Sequence, residues 1–242
     1  MKKKYISLIL AGLLTLTVVG AALAKNSNPR VIPNEGLKYG RLGARWWQWA
    51  LSFPAADVPY FNTGGPVDIS AGQSGRVWFL AGANNGLTEP RTGVVPTGTR
   101  LFFPLSNLIN DYPCPPEFGF EPLPGESLEE FLQRTGNEYL DGWFVIDPTK
   151  LFAEIDGVSL TDLPAYRATS SLFKFTADPA MVEFDPCITG SQQDGVAVGY
   201  WLLLAPLTPG EHILHFGSAN IEAPQDITYV LTVMPGNISS NH

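Results

Sequence analysis

Val196-Ala197-Val198-Gly199-Tyr200-Trp201-Leu202-Leu203-Leu204-Ala205-Pro206 is a long apolar run closed by proline. At eleven residues, bounded by turn formers and rich in valine, leucine and aromatics, it reads as a buried strand. Pro209-Gly210 then marks a turn into a second strand, His212–Phe216. Further on, Ile227, Tyr229, Leu231 and Val233 recur with the period of two that a half-buried strand requires. Three strands in close succession set the C-terminal third of the chain as β-structure.

Working back towards the N-terminus, the same punctuation continues. Asp156-Gly157 between Lys150–Ile155 and Val158–Leu160 is a strong two-residue hairpin signal. Leu172–Thr176 and Trp143–Ile146 read as further short strands, as do Arg76–Leu80 and Thr99–Leu105. The 24 glycines and 21 prolines cut the chain into short segments, which suits strands and turns better than a helix bundle. Two segments read as helix. Leu42, Trp46, Trp49, Ala50 and Phe53 form one stripe of an amphipathic helix over 37–53, with Arg41, Arg45, Gln48 and Ser52 opposite. Ser127-Leu128-Glu129-Glu130 has the form of a capping box and opens a second, short helix weakened at Gly136. The expected fold is mostly β: a single β-sandwich, immunoglobulin-like or jelly-roll-like by analogy of its closing hairpins, with an N-terminal amphipathic helix and one short additional helix.

The chain opens on a basic Met1-Lys2-Lys3-Lys4, an apolar stretch from Ile6 to about Gly20, and Ala22-Leu23-Ala24 before the polar Lys25-Asn26-Ser27. That order is the signal-peptide order, with cleavage expected between Ala24 and Lys25; an uncleaved membrane anchor is the competing reading. Residues 1–24 are thus read as signal and 25–242 as one domain, exported to the periplasm or the extracellular medium, with no membrane span after cleavage. Losing Lys2, Lys3 and Lys4 leaves 12 basic against 23 acidic residues, a net charge of −11. Such a surface repels phosphate backbones, which argues against nucleic acid as a partner. In an oxidising compartment, the only two cysteines, Cys114 and Cys187, are expected to form one disulfide.

No catalytic constellation or cofactor motif stands out. The histidines are His212, His215 and His242; the first two point to opposite faces of a strand and the third is the last residue, so no metal site is expected. There is no Gly-x-Ser-x-Gly elbow, phosphate loop or dinucleotide fingerprint. Two places are candidates for binding. Trp47 falls at the flank of the helix stripe, beside Arg45 and Gln48. Exposed, it could stack on a sugar; buried, it caps the core. Asn107, Asn110, Asp111 and Tyr112 follow an apolar strand, close to Cys114. They read as a loop, either binding a ligand or satisfying its own backbone.

As a set, Trp46-Trp47-Gln48-Trp49-Ala50-Leu51-Ser52, Gly72-Gln73-Ser74-Gly75 running into Val77-Trp78-Phe79-Leu80-Ala81-Gly82, Pro96-Thr97-Gly98 before Phe102-Phe103-Pro104, Ile155-Asp156-Gly157, and Tyr200-Trp201 with Pro209-Gly210-Glu211-His212 resemble an uncharacterised family of bacterial secreted proteins carrying signal peptides. The resemblance implies export and a shared fold, and no catalytic residue. It also implies extra cysteines in some relatives near the positions of Ser70 and Gly93, a second bridge that this chain lacks. The expected function is non-catalytic binding of a small molecule, a glycan or an envelope protein. The alternatives are a hydrolase built on dispersed carboxylates and a structural envelope component.

Overall fold

The computed structural model describes residues 31–83, 89–143, 146–220 and 224–234. Residues 1–30, including the stretch read as a signal peptide with its expected cleavage between Ala24 and Lys25, and His242, lie outside the described residues. The fold is mostly β, with two α-helices and two sheets packed face to face.

One sheet is central. It holds β2 (Val77–Phe79), β4 (Arg100–Tyr112), β9 (Gln193–Leu204) and, along the far edge of β9, β7 (Arg167–Thr169) and β8 (Phe173–Phe175). The second sheet runs β1 (Gly65–Pro66), β3 (Arg91–Pro96), β11 (Gln225–Met234), β10 (Gly210–Ser218), β5 (Leu151–Ile155), β6 (Val158–Ser159). Most pairings are antiparallel, but β2 runs parallel to β4, and β3 parallel to both β1 and β11. The Asp156-Gly157 hairpin forms as expected, both residues taking positive φ.

The apolar run of β9 is explained by its place. Val196, Val198, Tyr200, Leu202 and Leu204 face the core shared with the second sheet and the second helix. Ala197, Trp201 and Leu203 face a second core under helix α1 (Leu37–Ala50). A strand buried on both faces has no polar side to show, so its alternation disappears. β11 is covered on one face only and keeps it, with Ile227, Tyr229, Leu231 and Val233 all buried. The sheets meet at Phe103 and Phe216, whose rings lie 4.2 Å apart.

The stripe of α1 packs on the central sheet as its spacing predicts. Trp46 donates its indole N–H to the Leu80 carbonyl at 2.8 Å and sits edge-on to Trp201. Helix α2 (Leu128–Glu138) starts on a complete capping box: Glu130 N–H donates to the Ser127 hydroxyl, and the Glu130 carboxylate accepts from the Ser127 N–H. It continues through Gly136, where a Cβ would meet Val198 at 2.9 Å and Asn110 at 3.2 Å. That glycine lets the helix approach the sheet closely.

Two expectations are corrected. Residues 107–112 are not a loop: β4 continues unbroken to Tyr112, because Leu108 and Asn110 pack inward towards α2 while Ile109 packs against the core under α1. Trp143 does not start a strand but ends a single π-helical turn, Tyr139–Trp143, that prolongs α2; residues 144 and 145 lie outside the described residues.

Candidate functional site

Pro104 shapes the site. β2 pairs with β4 only from Arg100 to Phe102, and Leu80 adds one bond to the Phe102 carbonyl. Pro104 has no N–H to continue the ladder, and the register of β4 shifts between Pro104 and Ser106. Beyond that point β4 still pairs with β9, but among the described residues no strand covers its other edge.

A cavity of about 970 Å³ runs along this open edge. Its floor is the consecutive stretch Ser106–Asp111. One wall carries Phe118, Phe120, Tyr139 and Leu140, the other Trp47, Phe184, Asp185 and Pro186. The Cys114–Cys187 disulfide ties the two walls at one end, and the bridge is the one the cysteine count predicts. Phe118, Phe184 and Tyr139 are each more than one third exposed, so the mouth is rimmed with apolar surface.

Among the described residues, five buried side-chain polar atoms lack a hydrogen-bond partner, and three of them, Trp47 Nε1, Asn107 Nδ2 and Gln225 Oε1, belong to residues lining this cavity. Unsatisfied buried polar atoms are uncommon, and their concentration here marks the cavity as a place where a ligand would complete the bonding.

Asp111 and Asp185 lie side by side on the cavity, with carboxylate oxygens within 4.8 Å. Cys187 is equally near, but its sulfur is committed to the disulfide, so the cluster presents two carboxylates. Asp111 accepts a very short hydrogen bond from Gln193 Nε2, and Asp185 accepts from the Cys187 N–H at 2.9 Å. Burial, then the neighbouring Asp185 charge, pushes the Asp111 carboxyl up to about 8; burial raises Asp185 as well. The two share a proton at neutral pH, with Asp111 the acid.

That sharing has a stability signature. Unfolded aspartate releases its proton near 3.8, whereas folded Asp111 holds it to about 8. Between those values the folded state binds more protons, so stability falls as pH rises through the window. Asp111→Asn mimics the protonated acid and keeps both neighbours bonded. We expect it to be more stable than the parent by more than about 1.4 kcal/mol, the equivalent of one pKa unit, near pH 8, with the gap narrowing as pH falls and closing near pH 4. Urea melts of both proteins across that range check this; parallel pH profiles would show that no proton is held.

Of the five residues singled out from sequence, Trp47, Asn107, Asn110 and Asp111 line the cavity. Trp47 is 6 % exposed and so offers no open face for stacking. Asn110 is engaged in the fold, donating to the Leu132 carbonyl and the Thr135 hydroxyl. Tyr112 is not among the lining residues; its hydroxyl donates to Glu121 at 2.9 Å. His212 and His215 are held apart by separate partners, Asp156 at 2.8 Å and Asp226 at 2.7 Å. Sequence reasoning missed Asp185, Phe184 and Gln225. Only Asp185 carried a signal: it stands two residues before Cys187, and the expected bridge brings it towards Asp111.

No family model matches the chain, and no curated protein matches it. One solved structure, the solution structure of Amebosin, is similar at 13 % identity over 66 % of this chain and 100 % of that one, with a TM-score of 0.21, which is too low to carry an argument about fold.

Proposed function

We propose that this chain is an exported binding domain that takes an extended peptide as an added strand along β4. The observation that carries the reading is the uncovered edge of Ser106–Asp111 at the floor of a large cavity. Six strand residues offer roughly 20 Å of main-chain donors and acceptors, and an edge of that kind pairs readily with another chain. The aromatic rim supplies apolar pockets for alternate side chains. The lining residues include Asp111, Asp185 and Asp226 and no lysine or arginine, so the peptide that fits is not acidic. Export is supported by the signal-peptide order of residues 1–24 and by the disulfide. Among the described residues no helix is long and apolar enough to cross a membrane. Trp47 is buried and offers no open face for stacking on a sugar.

Asn107 provides the test. Its Nδ2 is unpaired in the free protein, so Asn107→Ala should leave the melting temperature unchanged or slightly higher. The same change should weaken peptide binding about five- to tenfold, one hydrogen bond's worth. Binding is read by fluorescence polarisation with hexapeptides taken from a random array. Hydrogen exchange should show protection of Ser106–Asp111 amides on binding. A protein that retains glycans but no peptide, or binds peptide without protecting β4, would overturn the reading.

One observation favours a hydrolase as the second reading: two acids, Asp111 and Asp185, face one concave cavity. Cleavage of bound peptides that disappears in both Asp→Asn variants would establish it.

A further inference from the structure

We infer that Asp111 and Asp185 anchor a basic side chain, lysine or arginine, of the peptide held along β4. The inference rests on the strand-addition reading and names the specificity of that same groove.

Other half-buried carboxylates of the chain are either matched by cations or engaged by backbone N–H groups, as Asp147 is by Thr149 and Asp178 by Ala55 and Ala180. Glu126 pairs with Arg134 at 2.7 Å, and Asp194 with Lys174 at 2.8 Å. Asp226, the third acid on the cavity, pairs with His215. Asp111 and Asp185 are more enclosed than these, yet among the described residues no cation faces them. Two enclosed carboxyls without a cation hold a proton between them, or they take a cation from outside.

The surroundings fit a basic side chain. Trp47, 6 % exposed, lines the same cavity with its indole N–H unpartnered; that donor cannot bond the cation itself and calls for an acceptor such as a carbonyl of the same bound peptide, an independent sign that a ligand completes the groove. Behind the cavity lining, Tyr60, 5 % exposed, has a hydroxyl that is also unpartnered; burial, and then the nearby Asp185 charge, push its phenol up. An ammonium carries three donors and no acceptor, and the two carboxylates present four acceptor oxygens. Phe184 follows Glu183 into the wall beside Asp185, and its ring offers an apolar surface to the methylene stem. A calcium ion fits poorly, because it takes six to eight oxygens and the cluster has two carboxylates.

The experiment is a hexapeptide array probed with the purified disulfide-bonded protein. Retained peptides should carry lysine or arginine at one fixed position. Replacing that lysine by Nε-acetyl-lysine, or that arginine by citrulline, should weaken binding at least about tenfold. Asp185→Asn and Asp111→Asn should each erase that difference while peptides still bind, and the acetyl-lysine comparison needs no variant at all. Peptides retained equally well with and without the charge would overturn the cation anchor alone. An array that retains no peptide would overturn the strand-addition reading and the anchor with it.

Discussion

Replacing Arg91 by methionine should destabilise the fold by about 3–5 kcal/mol, the largest effect expected of any single side chain in this protein. Arg91 is 1 % exposed. Its guanidinium donates to the carbonyls of Ala81 and Gly82, both at 2.9 Å, and to those of Pro59 at 3.2 Å and Asn62 at 2.7 Å. It also donates to the Asn62 side chain and the Tyr229 hydroxyl, and lies over the Tyr229 ring. No carboxylate is among these partners, so the charge is balanced by oxygen dipoles from two loops and one strand. Methionine fills the volume but leaves those carbonyls buried and unpaired, each at a cost of about 1–3 kcal/mol, partly recovered by relaxation. Arg91→Lys keeps the charge but not the fork, and should recover less than half of the loss. Denaturant melts give the answer; a methionine variant within 1 kcal/mol of the parent would show that the cage is dispensable.

The second large effect is expected from the disulfide. Cys114 and Cys187 close a loop with a sequence separation of 73. On the chain-entropy account, a Cys114→Ser, Cys187→Ser double variant should lose about 4 kcal/mol. The loss should be felt first in the groove, because Cys114 follows β4 and Cys187 follows Asp185. Hydrogen exchange of the variant should therefore rise at 111–118 and 184–190 before it rises in β9 or β10. Uniform exchange in all these segments would mean that the bridge steadies the whole fold and not the groove.

Much of the β-architecture could be read from the chain, and the reason is chemical. β9, β10 and β11 carry their own signals: a closed apolar run, a Pro-Gly turn and a clean alternation. The two helices were equally legible, one from its tryptophan stripe and one from its capping box. What escaped were β1, a two-residue Gly-Pro pair, and β3 and β7, whose threonines, glycine and arginines do not look like core. The pairing of β3 and β7 is imposed by neighbours distant in sequence, β11 and β9. The parallel pairings have no local signature, since no turn connects the partners. The end of β4 was misread for a related reason. Asn107, Asn110 and Asp111 look like loop residues, but Asn110 is bonded to α2 and Asp111 to Gln193, so the strand accommodates them. The carboxyl pair, whose members stand 74 positions apart, carries only an indirect signal, the expected bridge that brings Asp185 towards Asp111.

The parallel register of β3 with β11 sets Arg91 beside Tyr229, 138 positions later in the chain. A chain synthesised or threaded through a membrane from its N-terminus therefore presents its buried arginine, with the Pro59, Asn62, Ala81 and Gly82 carbonyls at hand, long before the last partner arrives. The second sheet remains in two pieces until the strand ending at Met234 is delivered, and closing it joins contacts of very high sequence separation. Completion of the second sheet thus waits for β11, while the β4–β9 pairing that builds the open edge needs only residues up to Leu204.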